Sequence, residues 1–341
     1  VSLSPGAPFR HKQAAHCESG VISAMVTHGG AELSEPMAFG LAAALTFALI
    51  PFVKLSGLPL IAYRMPPGAI IRGVSKRLGV RMRRLTFRDP DKGMEALDRA
   101  LGEGRVVGLQ SSVFWLPYFP ENMRFHFNAH NLIVYGRDGG DYLVSDPVFE
   151  DAVRCDRGSL RKARFAKGAL AARGLMYYPE SVPAAIDHAR AVPAAIRANY
   201  RLMARAPIPF VGLRGIRRLG KSLVALSRDP RRSGDYLPRF LGHVVRMQEE
   251  IGTGGAGFRF MYGAFLREAS DRLGLASLRE ASDAMTEAGD TWRLFALRAS
   301  KMCKGREPMD AALLASIIDR CADREAVAWS LARRDVSRRG R

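Results

Sequence analysis

The chain has 341 residues, 48% of them hydrophobic and 25% charged, which excludes a disordered or fibrous chain and allows a sizeable core divided between two domains. Its four cysteines, Cys17, Cys155, Cys303 and Cys321, are too far apart for a CxxC metal site and too few for a disulfide framework. That points to a reducing compartment, read as the cytoplasm. The net charge is +19, and between Arg154 and Arg232 eighteen Lys and Arg stand against four Asp and Glu, a field that collects acidic partners. No nucleic-acid-binding motif accompanies it, so nucleic acid is not expected. An acidic protein or a peripheral contact with an anionic membrane fits, and a solvated arginine-rich surface is the plain alternative.

The opening VSLSPGAPFRHKQ lacks the apolar stretch of a secretory signal. Apolar spacing predicts helices over 17–28 and 34–50. The second holds the uncharged run from Met37 to Val53, shorter than a spanning helix and interrupted by Gly40 and Pro51; it reads as a buried helix capped by Ser34. LPLIAYRM follows as a short strand, GAIIRGVSKRLG as an amphipathic helix and VRMRRLTF as a strand. DKGMEALDRALGEG is a helix closed by glycines, and RVVGLQSSV a strand. FHFNAHNLIVYG, RDGGD and YLVSDPVFE form strand, glycine turn and strand, a β-hairpin whose arms carry His130 and Asp146. After a last strand, ARGLMYYP, prolines and alanines mark a change of character, and almost everything onward reads as helix. The expected class is α+β followed by all-α: a domain of helices and antiparallel sheet over 1–180 and a helical domain over 181–341. In the helical part, IGTGGAGFRFMYGAFLREAS places a glycine-rich loop, including Gly254 and Gly255, before an aromatic-rich helix. Such a loop is either a tight turn or a ligand loop presenting N–H groups to an anion; it is neither a P-loop nor a dinucleotide fingerprint.

HKQAAHCESGVISAM, residues 11–25, sets Cys17 where a helix begins. One reading is a small core residue; the other is a thiolate favoured by the helix N-terminus and neighbouring bases. A nucleophilic cysteine needs a histidine to exchange its proton and a third polar group to orient that histidine. His130 and Asp146 supply both, since residues facing each other across a short hairpin lie within about 5 Å at Cβ. His126, on the same face of the expected strand, is the competing base or a substrate contact. Two imidazoles with Asp146 could bind zinc, but no further ligand cluster is visible and Cys17 would be idle, so no metal is expected.

HCESG, LSEPMAFGL, HNLIVYG followed by YLVSDP, and GGAGFRFMYGAFL together resemble the family of butirosin biosynthesis protein H, over residues 11 to 300. The resemblance implies an N-terminal domain of papain-like, bacteriocin-leader-peptidase-like fold and a helical C-terminal domain. It also implies acyl transfer: an acyl group arrives as a thioester on the phosphopantetheine arm of an acidic acyl carrier protein and leaves on a small amine or alcohol acceptor. The thioester is the donor substrate, and no bound cofactor is implied. The family's catalytic cysteine, histidine and acid fall on Cys17, His130 and Asp146. Papain-like sites often take an oxyanion-hole donor from a glutamine six residues before the cysteine, where this chain has His11. The Cys17 N–H is then the expected donor, with Gln13 as a second.

His16 either supports the thiol or packs, and Glu18 is a first-turn helix charge or a contact for an acceptor amine. Arg259 and Tyr262, one helical turn apart, are candidate contacts for acceptor or phosphopantetheine. SSVFWLPYFPENMRFHF with MAFGLAAALTF lines an acyl tunnel or forms plain core. Two rivals stand beside the acyltransferase: a cysteine hydrolase or peptidase with water as final acceptor, and a non-catalytic basic binding module. Acyl chain, acceptor, amide or ester product and oligomeric state are open at this level.

Overall fold

The structure, a computed structural model, describes residues 8–55 and 57–336. The first seven residues, part of the stretch read for a secretory signal, and the last five lie outside the described residues. In chain order the elements are α1 (Cys17–His28), α2 (Glu35–Leu41), β1 (Leu45–Leu55), β2 (Leu58–Arg64), α3 (Ala69–Leu78), β3 (Arg81–Leu85), α4 (Pro90–Gly102) and β4 (Val107–Ser111). Then come β5 (His130–Asp138), β6 (Asp141–Ser145), β7 (Val153–Asp156), α5 (Arg157–Arg164), β8 (Met176–Ser181), α6 (His188–Ala204), α7 (Gly212–Arg228), α8 (Tyr236–Glu249), α9 (Arg259–Leu273), α10 (Ala276–Cys303) and α11 (Ala311–Val336). The class is α+β with antiparallel sheets and a helical C-terminal region.

The chain divides into two compact units, one of residues up to 38 with 70–187, the other of 39–69 with 188 onward. This differs from the division expected near residue 180, because 39–69 belongs with the C-terminal helices. The expected helix over 34–50 also differs. Ser34 does cap α2, its Oγ accepting from Met37 N–H at 3.1 Å, but the helix ends at Leu41. The chain then reverses through Ala43, at φ 52°, into β1. LTFALIPFV is rich in aromatic and β-branched residues, which favour a half-buried strand, and Pro51 cannot donate in a helix interior.

In the first unit a six-stranded sheet runs in the order β3-β8-β4-β5-β6-β7, each neighbouring pair antiparallel. Leu109, Leu132, Val134, Val144 and Met176 form its core with Met94 and Leu97 of α4 and Leu160 of α5, while α1 packs on β5 and β8. With both faces covered, β5 is buried continuously from His130 to Val134, and its apolar residues do not alternate with polar ones. The β5–β6 turn pairs Asp138 with Asp141 across Gly139, at φ 60°, a two-residue connection that glycine permits. Pairing of Ile133 with Ser145 brings Asp146, just past β6, back towards the start of β5. The short β7 and the helix α5, which Asp156 caps by accepting from Ser159 N–H at 2.9 Å, carry too little pattern to be read beforehand.

In the second unit β1 and β2 form an antiparallel ribbon. The long α10 packs with α8, α9 and α11, and α11 with α6 and α7. Trp292 and Trp329 are fully buried there, and the Trp292 ring meets Phe47 and Tyr63 of the ribbon. Gly40 is required where a Cβ would fall 2.0 Å from the Phe265 ring.

Candidate active site

Each residue of HCESG has a separate task. His16 is the N-cap of α1, its Nδ1 accepting from Ser19 N–H at 3.3 Å. Cys17 is therefore the first helical residue, where the helix supplies no carbonyl for its N–H; the residue is 8% exposed. Glu18 is fully buried and points away into the fold, accepting from the N–H groups of Ile70 and Ile71 at the start of α3, at 2.8 and 3.2 Å. Ser19 Oγ donates to Glu35 Oε1 at 2.9 Å. Gly20 lets α1 approach the turn after β6, where a Cβ would fall 2.8 Å from Pro147.

Glu35 ties the approach to the cysteine. Its carboxylate accepts from Ala15 N–H at 2.9 Å and His16 N–H at 2.8 Å as well as from Ser19. Burial pushes its carboxyl up, against the pull of those donors. On the other side, Ala14 N–H donates to Pro147 O at 2.8 Å. The segment before Cys17 is thus held at both α2 and the β6 turn.

The imidazole of His130 donates from Nε2 to Asp146 Oδ2 at 2.6 Å, both side chains buried. With Nε2 committed, Nδ1 is the nitrogen left for Cys17, whose side chain also interacts with His130. Asp146 accepts twice more, from Tyr118 Oη at 3.0 Å and from Val148 N–H at 3.1 Å. Burial pulls His130 down, but Asp146 and the Cys17 sulfur outweigh it and the imidazole is pushed up to about 10. At neutral pH it carries its proton, the positive partner a thiolate nucleophile requires. Burial, then Asp146, pushes the Tyr118 hydroxyl well up, so it stays a donor. Burial raises the Cys155 thiol to about 12 and raises Cys303 and Cys321 as well.

The remaining sequence candidates lie elsewhere or are occupied. His126 precedes β5, since the strand begins at His130; it is exposed and stacks on Phe114 at 4.0 Å. It therefore does not share a strand face with His130. Gln13 is exposed, its amide donating to Val148 O at 3.4 Å. His11 donates from Nε2 to Phe149 O at 3.1 Å and takes Ser145 Oγ on Nδ1 at 2.7 Å, so neither nitrogen is left for an oxyanion. In the aromatic stretch Val113, Leu116 and Phe119 are core, whereas Phe114, Trp115 and Phe125 are exposed.

Arg259 is fully buried against Glu325, Nε to Oε1 at 2.9 Å, and Tyr262 is buried beside Trp329. As placed, neither meets a soluble acceptor. The loop of Gly254 and Gly255 holds an anion of the chain's own: Ala256 N–H donates to the Glu249 carboxylate at 3.2 Å. Ala256 and Phe258 join the glycines at positive φ there. Among the described residues no group of His, Cys, Asp and Glu is arranged to hold a metal ion. Glu35 and Tyr118 escaped the sequence reading. Glu35 stood only as a flank of an apolar run, and Tyr118 as one aromatic among many.

Residues 158–331 match a domain of unknown function, DUF4872, and residues 16–147 match the N-terminal domain of butirosin biosynthesis protein H. The chain belongs to the butirosin biosynthesis protein H family over residues 16–147 and to DUF4872 over residues 158–331. Cys17, His130 and Asp146 all fall inside the match that gives the family its name, and Arg259 and Glu325 inside the other. A crystal structure of a C39-like peptidase from Bacillus anthracis is similar at 15% identity and a TM-score of 0.35, over 53% of this chain and 98% of that one, a likeness too loose to bear on fold or chemistry. No curated protein matches the chain in sequence.

Proposed function

We propose that this family member is a cysteine-based enzyme of secondary-metabolite biosynthesis. It moves an acyl group from a carrier-protein thioester, through acyl-Cys17, to an amine or hydroxyl acceptor. The observation that carries the reading is the buried His130, bonded to Asp146 and interacting with the helix-borne Cys17. The family's name supports the pathway class, and the four free cysteines support a reducing compartment.

Cys17 Sγ attacks the thioester carbonyl, and the carbonyl oxygen gathers charge facing the Cys17 N–H. The bond to the pantetheine sulfur breaks, and His130 gives that thiolate its proton. His130, now neutral, takes a proton from the acceptor amine or alcohol as it attacks the acyl-Cys17 carbonyl. Expulsion of the Cys17 thiolate restores the starting pair. Asp146, fixed by Tyr118 and Val148, keeps the imidazole oriented throughout. One thioester replaces another in the first half, so the site's task is to keep water from the acyl-cysteine until the acceptor arrives.

The test is intact mass spectrometry of the chain mixed with an acyl-pantetheine thioester, beside Cys17→Ala. A mass gain of one acyl group that needs Cys17 and is discharged by an added amine is expected. Discharge at the same rate by water alone would make the protein a hydrolase. No gain at any acyl length would withdraw the nucleophile assignment.

A further inference from the structure

The second unit carries an exposed apolar tip that stands apart from the acyl-transfer reading. In the ribbon, Ile50 pairs with Leu60 and the next pair is Lys54 with Pro59, so Pro51, Phe52 and Val53 are looped out of the ladder. Phe52 is 72% and Val53 42% exposed. A segment distant in sequence comes alongside: Leu49 N–H donates to Phe210 O at 2.9 Å, Ala48 bridges Val211, and the Phe52 and Phe210 rings meet edge to face at 5.6 Å. That segment adds Pro207, Pro209 and Ile208, which is 42% exposed. Two stretches of chain thus cooperate to hold apolar side chains in water, the opposite of what folding alone selects.

The charge around the tip has one sign. No Asp or Glu occurs from Pro36 to Arg88 or from His188 to Arg228. Lys54, Arg205, Arg214 and Arg218 are exposed in the two stretches, and Arg214 Nη1 donates to Pro207 O at 3.3 Å, tying a basic side chain to the apolar loop. On α11, which packs on α7, Asp319 and Asp323 are engaged by Arg217. Residues looped out of a ladder offer a tip and not a groove. A tip with a basic collar suits a fluid anionic surface, into which apolar side chains insert while Lys and Arg stems extend to the headgroups.

We propose that this tip, Phe52 and Val53 with Ile208, is a peripheral contact for an anionic bilayer. Among the described residues no helix is long and apolar enough to cross a membrane, so the contact is interfacial.

Co-sedimentation of the full chain with phosphatidylcholine vesicles, and with vesicles that also contain phosphatidylglycerol, tests it. Pelleting with the second kind alone, weakened by salt, is expected. Phe52→Ser should lower vesicle affinity about tenfold or more, the loss of one inserted aromatic side chain, and Lys54→Glu with Arg205→Glu should lower it further. Thermal melting and the alkylation rate of Cys17 should not change, since these positions are exposed and lie in the other unit. A chain that stays in solution with both vesicle types overturns the proposal, as does Phe52→Ser pelleting like the parent. Retention on an immobilised acidic carrier protein that Phe52→Ser abolishes, without vesicle binding, would assign the tip to a protein partner instead.

Discussion

At Cys17 five adjacent residues take separate directions: the His16 ring caps the helix, Cys17 faces His130, Glu18 caps α3, Ser19 meets Glu35 and Gly20 clears Pro147. The consequence for pH follows from His130. Its folded value of about 10 lies above the ordinary imidazole value of 6.5. Its contribution to stability is therefore present in full below that ordinary value and lost as pH rises through about 10. Asp146→Asn removes the main raising partner. The melting temperature of the parent should fall more than that of Asp146→Asn between about pH 7 and 10; parallel curves would refute the pairing. The same variant should slow acylation of Cys17 about a thousandfold. A cysteine, a histidine and an acid at helix start and hairpin arms were readable because each belongs to a local pattern. Glu35 and Tyr118 were not, because their bonds to Ser19 and Asp146 join positions that no local pattern pairs.

Among the elements, α9 and α11 are joined at a fully buried ion pair. Arg259 meets Glu325, which also accepts from Trp292 Nε1 at 2.7 Å, and Arg259 lies over the Tyr63 and Trp292 rings. Removing one partner leaves a charge unpaired in the core. Glu325→Ala should cost about 3–5 kcal/mol in urea unfolding, while Arg259→Met combined with Glu325→Leu, which leaves no buried charge, should recover most of it. A loss below about 1 kcal/mol for the single change would show that the pair is hydrated. This pair also explains why an arginine on a glycine-led helix looked like a ligand contact: its type and spacing suit either role, and only Glu325 of α11, 66 residues on, decides between them. The run from Met37 to Val53 teaches the same at β1. Its length and hydropathy suit helix or strand, and the ribbon partner Leu58–Arg64 settles the matter.

For the whole molecule, the basic balance of the chain bears on encounter. If the donor is an acidic carrier protein, the second-order rate of Cys17 acylation by carrier-bound thioester should fall steeply with added salt, while acylation by free acyl-pantetheine should change little. Equal salt responses would remove steering from the account. The sequence by itself determined the class, the family, the candidate trio of Cys17, His130 and Asp146 and the sign of the field, because periodicity, residue type and charge are properties of neighbours along the chain. The tertiary structure alone decided that 39–69 joins the C-terminal helices, that Glu18, Arg259 and the glycine loop already hold partners of their own, and that Phe52 stands in water. Burial and pairing depend on which distant segments meet, and one side chain's chemistry leaves that choice open until the core is packed.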